Sequence, residues 1–352
     1  MTRAVLIASG GTGGHMFPAL ALGAALERRG HTVRYAVDRR GARYLDAGAV
    51  HARVPAASPT GTPLTRLAGM ATLGLGLLQS LARVALSRPA AVAAFGGYAS
   101  VPMGVAAGLL RVPLVLHEQN AVIGKAHRLL RRYARRIATS FPETRGAPGG
   151  AASFVGNPVR EAFHGLRARS PHAGVRLFVV GGSQGARVFS DILPEAVGRL
   201  PAEVRAELAI VQQCRPEDLE RVERAYAELG VTAELAAFFD DVPARLAAAD
   251  LVVSRAGASA VAEILVVGRA AVLVPYPYAA DDHQRANARA LAETGAAVAV
   301  DPDDATPERL AAALEELIAD PARLERMEAA ARGLARPDAA ERLADEVEEV
   351  MR

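Results

Sequence analysis

Tryptophan is absent from this 352-residue chain, aromatic residues make up only 5% of it, and lysine occurs once, at Lys125. A chain so poor in stacking side chains, with no long basic tract and a formal net charge of +3, lacks the footprint of a nucleic-acid binder. Arginine supplies almost all of the positive charge, a skew that reads as genomic bias and carries no function. Cys214 is the only cysteine. That excludes an intrachain disulfide and a thiolate metal site, and it fits a reducing compartment. The opening MTRAVLIASGG turns glycine-rich too early for a signal peptide. The longest apolar candidate for membrane contact, Leu67 to Leu86, is broken by Arg83 and weakened as a helix by Gly69, Gly74 and Gly76. Its uncharged stretch between Arg66 and Arg83 is 16 residues, short of the roughly 20 that a spanning helix needs. No transmembrane segment is expected.

What is present is globular. Hydrophobic residues are 51% and charged residues 22%, and the length exceeds what one core usually supports, so two domains are expected. AVLIAS at 4–9 is a short apolar run that stops at glycine, as a buried parallel strand does. A helix is expected from Pro18 to Arg29. Further strands are expected in HTVRYAV, AAVAAFGG and VPLVLHE, with the arginine-rich RLLRRYARRI following. The design then restarts with GVRLFVVGGSQGARVF and continues through LAIVQQC, TAELAAFF, ADLVVSRAG and AAVLVPYP. Strands alternating with helical stretches predict doubly wound α/β domains. The boundary is expected near Pro158 to Pro171, and the last stretch, from Leu324, reads as amphipathic helix. Ligands of such sheets bind beyond the carboxyl ends of the strands, where the glycine turns fall.

Four motifs sit at those ends. Gly10-Gly11-Thr12-Gly13-Gly14-His15 closes a strand and opens a helix, a place where glycines permit close backbone approach and the helix N-terminus favours a phosphate. It lacks the Lys-Ser/Thr of a P-loop and the strict dinucleotide fingerprint, and Asp38 is poorly placed as a ribose carboxylate. A turn that merely packs is the plain alternative. His15 has the chemistry to accept a proton from a sugar hydroxyl, or equally to bond the backbone. Gly181-Gly182-Ser183-Gln184-Gly185-Ala186 repeats the geometry in the second half, and Ser183 adds a hydroxyl. Ser254 to Glu263 is a third strand-to-helix junction. Glu263 there suits the paired hydroxyls of a ribose, or is a solvated helix residue. Asp281-Asp282-His283-Gln284 suits a polyhydroxy ligand, and a metal is discounted because no second His or Cys cluster lies nearby. Finally, Leu73, Leu77 and Leu81 share one helical face flanked by Arg66, Arg83 and Arg88. That face serves either an anionic bilayer or the core.

Together the chain resembles the bacterial peptidoglycan N-acetylglucosaminyltransferases that act after lipid I. The resemblance rests on GGTGGHMFPALALG at 10–23, GGYASVPMGVAA at 96–107, HEQNAVIGKA at 117–126, VGNPVR at 155–160, GGSQGA at 181–186, FFDDV at 238–242, SRAGASAVAE at 254–263 and DDHQRANA at 281–288. Eight segments in order and spread over the chain are far more specific than one glycine loop. Ala99, where the family often has valine, and His127, where it often has asparagine, are departures, as is the Tyr276 to Ala280 loop.

The resemblance implies two Rossmann-like domains facing a central cleft, the GT-B glycosyltransferase architecture. Residues 1–160 would form the acceptor and membrane-association domain and 161–335 the donor domain, with 336–352 a helix packing back on the first. It implies inverting transfer of N-acetylglucosamine from UDP-N-acetylglucosamine to the 4-hydroxyl of the muramoyl sugar of lipid I, giving lipid II. His15 is the implied base. Gly13, Gly14, His15, Gly96, Gly97, Tyr98 and Asn120 would meet the acceptor. Thr12, Gly13, Gly14, Asn120, Arg160, Ser183, Gln184, Gly185, Phe239, Ala258, Ser259, Glu263, His283 and Gln284 would meet the donor, with backbone near Phe239 reading the uracil and Glu263 the ribose. No cofactor or metal is implied, since the nucleotide sugar is a substrate, and dependence on a divalent ion is left open. The implied partners are the cytoplasmic face of the membrane, through the Leu73, Leu77 and Leu81 patch, and cell-wall synthesis or division proteins. Another sugar transferase of the same fold is the nearest rival, and the acceptor-side motifs argue against it. A dinucleotide oxidoreductase would need the strict fingerprint, and a non-enzymatic nucleotide-sugar binder would leave the acceptor motifs without a role.

Overall fold

The structure is a computed structural model that describes residues 2–46, 49, 51–57, 62–148, 152–166, 174–182 and 186–352. The chain divides into two compact units, Met1–Arg160 with Arg336–Arg352, and Glu161–Ala335.

In the first unit the order is β1 (Ala4–Ala8), α1 (Gly13–Arg28), β2 (Thr32–Val37), β3 (His51–Arg53), α2 (Pro63–Ser87), β4 (Ala91–Ala94), α3 (Ser100–Leu109), β5 (Leu114–Glu118), α4 (Lys125–Leu130), β6 (Arg136–Thr139) and β7 (Ala152–Phe154). The strands pair in parallel in the order β3-β2-β1-β4-β5-β6-β7. β1, β4 and β5 are buried on both faces, which explains the unbroken apolar runs of β1 and β4 and the Leu-Val-Leu that opens β5. The strand order reverses between β1 and β4, and ligands of doubly wound sheets bind at such a switch point. The first two glycine turns follow those two strands.

The second unit repeats the plan. It contains β8 (Val175–Val180), α5 (Arg187–Arg199), α6 (Ala202–Ala206), β9 (Leu208–Gln213), α7 (Leu219–Glu228), β10 (Thr232–Ala236), α8 (Val242–Ala248), β11 (Leu251–Ser254), α9 (Ala258–Val267), β12 (Ala270–Leu273), α10 (His283–Glu293), β13 (Ala297–Ala299), α11 (Pro307–Ile318) and α12 (Pro321–Leu334). Its parallel order is β10-β9-β8-β11-β12-β13, with the switch between β8 and β11. A buried pair, Arg269 Nη1 to Glu328 Oε1 at 3.3 Å, ties α12 to the start of β12. The same guanidinium donates to the carbonyls of Leu246 and Ala247 at the end of α8.

Three expectations are corrected. The first helix begins at Gly13, not Pro18. Pro18 falls inside it, on the second turn of α1, where it donates no helical N–H bond. The last stretch is two helices, α12 and α13 (Ala339–Met351), split at Arg336-Pro337 because a proline steers the residue before it out of the helical region. The continuity of the apolar helix before β4 is the third. Gly69, Gly74 and Gly76 do not break α2, which runs 25 residues from a Thr62 cap with Pro63 at its first position. At Gly76 an added Cβ would lie 2.3 Å from the carbonyl oxygen of Pro55, so a glycine is what lets the helix lie this close. Leu77 and Leu81 pack into the core beside α3, and Leu73 is half-buried on the same stripe. The outward stripe is Leu64, Leu67, Leu75, Leu78 and Leu86, each 52% exposed or more and spaced at helical intervals. By length and composition alone α2 is also apolar enough to cross a membrane.

The last helix belongs to the first unit. Leu343, Ala344, Val347 and Val350 of α13 enter the core with Met16, Leu22 and Leu26 of α1. Its acidic face meets arginines: Arg29 reaches Glu341 and Asp345 at 2.7 Å and Glu348 at 3.1 Å, and Arg136 reaches Glu349 at 2.6 Å. Such half-exposed pairs orient more than they stabilise. The apolar contacts carry the energy, so Leu343→Ala is expected to lower stability by about 2–4 kcal/mol in urea denaturation. A loss below about 0.5 kcal/mol would mean that α13 is not part of this core.

Candidate functional site

In the first unit the two glycine turns touch. Gly97, at φ 70°, lies against the Gly10 carbonyl oxygen, 3.3 Å from where its Cβ would be. Gly96, at φ 87°, faces two imidazoles: an added Cβ would sit 3.4 Å from His127 Cε1 and 3.5 Å from His15 Cε1. Only glycine takes this backbone without strain. Asp38 pins the first turn, since its Oδ1 accepts from the backbone N–H of Gly11 at 3.0 Å and of Gly41 at 2.7 Å. This gives the acidic residue after β2 a different task from the ribose contact of a dinucleotide enzyme. Thr12, Gly13, Gly14 and His15 begin α1, Tyr98 follows the second turn, and Arg160 stacks its guanidinium 4.9 Å from the ring centre of Phe17 on α1.

The end of β5 and the chain after it supply a polar cluster of which only Asn120 is a site residue expected from sequence. Glu118 is buried, and it accepts from Asn120 N at 3.0 Å, Asn120 Nδ2 at 3.1 Å, Gly124 N at 3.0 Å and His127 Nδ1 at 2.7 Å. Burial alone would raise its pKa. The adjacent His127 and the backbone donors outweigh burial and bring it down to about 2. His117 donates from Nε2 to the Gly156 carbonyl at 2.9 Å, and burial pushes it down to about 4, so it is neutral. Gln119 lies between His117 and His15, within 3.2 Å of a ring nitrogen of each. The density of polar residues in HEQN, directly after an apolar strand, is the sequence signal that marks this cluster.

In the second unit, Ser183, Gln184 and Gly185 lie outside the described residues. The residues on either side of them are described. Gln213 at the end of β9 accepts from Gly181 N and donates to the Ala237 carbonyl, both at 3.2 Å, joining the turn after β8 to the segment after β10. The Phe239 ring is core, 6.1 Å from Phe178 and under Arg245 at 4.1 Å, so only its backbone is available for a ligand. Ala258, Ser259 and Glu263 lie on the first two turns of α9 and are half-buried. His283 and Gln284 open α10. His283 donates from Nδ1 to the Ala280 carbonyl at 2.6 Å, and Gln284 Oε1 accepts from Tyr276 N at 2.9 Å. The amide nitrogen of Gln284 lies 4.0 Å from a Cβ position at Gly257, so α10 and the β11 turn meet. Asn287 is buried and bonds the Ala256 carbonyl at 2.9 Å, which makes it a brace for that turn. Among the described residues, no group of three or more His, Cys, Asp or Glu side chains is placed to hold a metal ion.

The chain matches two sequence families, the Glycosyltransferase family 28 N-terminal domain over residues 5–139 and its C-terminal domain over residues 176–343. Curated relatives include the UDP-N-acetylglucosamine–N-acetylmuramyl-(pentapeptide) pyrophosphoryl-undecaprenol N-acetylglucosamine transferases of two bacteria. That of Paramagnetospirillum magneticum is 48% identical, and that of a Methylobacterium species 50% identical, each alignment covering 97% of this chain and 95% of the relative. Among solved structures, Acinetobacter baumannii MurG superposes with a TM-score of 0.84 at 31% identity, covering 99% of both chains. The calicheamicin glycosyltransferase CalG4 shares the fold, with a TM-score of 0.69 at 19% identity over 99% of this chain and 98% of that one.

The buried cluster predicts an acid-sensitive first unit. His117 is neutral when folded but binds a proton below pH 6.5 when unfolded, so its contribution is full above 6.5 and is lost as pH falls towards about 4. Glu118 adds a loss from 4.5 down to about 2. Urea denaturation is expected to show stability dropping on the order of 3 kcal/mol across the His117 window. A His117→Phe variant should flatten that slope, and an unchanged slope in the variant would refute the assignment.

Proposed function

The chain belongs to the family of UDP-N-acetylglucosamine–N-acetylmuramyl-(pentapeptide) pyrophosphoryl-undecaprenol N-acetylglucosamine transferases, and from that membership we infer that its first unit holds the lipid acceptor and its second the nucleotide-sugar donor. It is a glycosyltransferase of peptidoglycan synthesis, moving N-acetylglucosamine from UDP-N-acetylglucosamine to lipid I to give lipid II. The observation that supports the division of labour is the doubled design. Each unit has a parallel sheet with glycine-rich turns at its switch point, and each such end suits one diphosphate-bearing substrate.

In this reading the acceptor diphosphate lies against the turns at Gly13-Gly14 and Gly96-Gly97-Tyr98, with Asn120 beside it. In the second unit the donor is held through Ser183, Gln184 and Gly185, the backbone at Phe239, and Ala258, Ser259, Glu263, His283 and Gln284. The 4-hydroxyl of the muramoyl sugar attacks the anomeric carbon as the bond to UDP breaks, inverting the configuration. His15 takes the hydroxyl proton. The departing diphosphate is already a weak base, so charge stabilisation serves it better than a general acid.

Membrane contact is peripheral in this reading, and it uses the outward stripe of α2 in place of the leucines named from sequence. Leu64, Leu67, Leu75, Leu78 and Leu86 present apolar side chains to an exposed surface, and Arg66, Arg83 and Arg88 are exposed on the same helix or at its end. That combination suits the cytoplasmic leaflet with its anionic lipids.

Two experiments test these assignments. With labelled donor and a lipid I analogue, the product linkage read by NMR is expected to be β-1,4. His15→Ala is expected to cut kcat on the order of 10²–10⁴-fold while UDP-N-acetylglucosamine affinity holds; equal losses in both would sink the base assignment. Separately, Leu75→Glu with Leu78→Glu should weaken sedimentation with phosphatidylglycerol vesicles by about tenfold or more, leaving transfer to a short-chain soluble acceptor unchanged. Unaltered vesicle binding would exclude this face.

A further inference from the structure

We propose that Gln119 is a positioning residue that fixes which nitrogen of His15 carries the proton, with His117 as its buried support. This deepens the reading of His15 as the base and rests on it.

The argument begins with a group that has no choice. The backbone carbonyl oxygen of His117 can only accept a hydrogen bond. It lies 2.9 Å from one end of the Gln119 side-chain amide, so that end is the NH2 group. The other end, Oε1, then faces His15 Nδ1 at 3.2 Å. An amide oxygen also only accepts, so His15 Nδ1 carries the hydrogen. In the neutral ring the lone pair therefore resides on Nε2.

A second fixed group supports the first. The Gly156 carbonyl accepts from His117 Nε2 at 2.9 Å, which places the hydrogen of neutral His117 on Nε2 and leaves Nδ1 as an acceptor. Gln119 Nε2 is 3.2 Å from that Nδ1, so its second N–H has a partner there. A charged His117 would turn N–H against N–H and cost the amide one of its two bonds to residue 117. The titratable groups around His117 are Glu118, His127 and His15, and burial outweighs their combined effect to keep the ring neutral. Gln119 is 1% exposed and His117 is equally buried, so water does not compete for these bonds.

The consequence for the reaction is geometric and electronic. The acceptor hydroxyl gives its proton to His15 Nε2 as its oxygen bonds to the anomeric carbon, and the electron pair of the breaking bond leaves with UDP. The imidazolium so formed keeps its Nδ1–H on Gln119 Oε1 until Nε2 releases its proton to solvent. A neutral amide in this place orients the ring as the carboxylate of a Ser-His-Asp triad does, but stabilises the cation less.

The test is 15N–1H correlation NMR on the full chain labelled at histidine, at a pH where His15 is neutral. The expected spectrum has His15 Nδ1 in the protonated range and Nε2 in the unprotonated range. In Gln119→Leu the tautomer should shift towards Nε2–H, with kcat falling about 10²-fold, the KM for UDP-N-acetylglucosamine within about twofold, and the acid limb of the pH–rate profile displaced. His117→Phe keeps the residue-117 carbonyl, so its loss in kcat should be smaller than that of Gln119→Leu. An Nε2–H tautomer in the wild-type protein overturns the proposal, as does a Gln119→Leu variant with unchanged kcat and spectrum. A His15→Ala variant with wild-type kcat would remove the base assignment alone, because the wild-type spectrum reads the tautomer independently of turnover.

Discussion

The strand-end architecture of the first unit depends on one buried carboxylate. Glu118 ends β5 with no solvent to stabilise its charge, a placement that costs several kcal/mol unless the charge is fully satisfied. It is satisfied locally, by the backbone of Asn120 and Gly124, the side chain of Asn120 and the ring of His127. Each donor lies within nine residues of the carboxylate, so one side chain folds the whole segment from 118 to 127 around itself. The chain's course there sets Gln119 beneath His15 and His127 beside Gly96. Removing this anion would leave several buried donors unpaired at once, which is a larger loss than any single bond suggests.

The same logic recurs in the second unit with neutral groups. Gln213 joins two strand-end turns, Asn287 holds the turn after β11, and Gln284 braces the Tyr276 segment. Side-chain amides suit this work because each has both a donor and an acceptor and costs less to bury than a charge. A diphosphate-binding surface must offer backbone N–H groups in a fixed array, and loops without regular ladders need such braces to hold one. A buried ion pair of the second unit, Arg269 with Glu328, works elsewhere, joining α12 to the start of β12 and to the end of α8.

Much of this fold was legible because parallel strands buried on both faces are written as short, largely apolar runs. β1, β4, β8 and β11 have that form with glycine within three residues of their ends, β5 and β12 run instead into HEQN and the VPYP segment, and the motifs follow all six. The short strands β3, β6, β7 and β13 were not legible, since three or four residues carry no periodicity of their own and pair only because a neighbour's edge is present. The orientation of α2 was not legible for a different reason. That helix is apolar on both sides, so spacing alone allows two stripes, one through Leu73, Leu77 and Leu81 and one through Leu64, Leu67, Leu75, Leu78 and Leu86. Which stripe faces inward is decided by where the helix meets Pro55 and α3, a tertiary fact with no local signature.

The residues around His15 show a further limit of motif reading. A sequence displays His15 and Asn120 as residues able to touch a substrate, but Gln119, between Glu118 and Asn120, looks like a spacer. Strand alternation is the physical reason it is not one: neighbours on an extended chain point to opposite sides, so Gln119 is directed away from the bonds that engage its two neighbours. Its side chain turns to the carbonyl of residue 117 and to the start of α1, 104 residues away in sequence. Two irreversible polarities, the carbonyls of His117 and Gly156, then propagate through an amide and an imidazole to one nitrogen of His15. The order of that chain follows from which atoms can only accept, and it needs no charge to move along it.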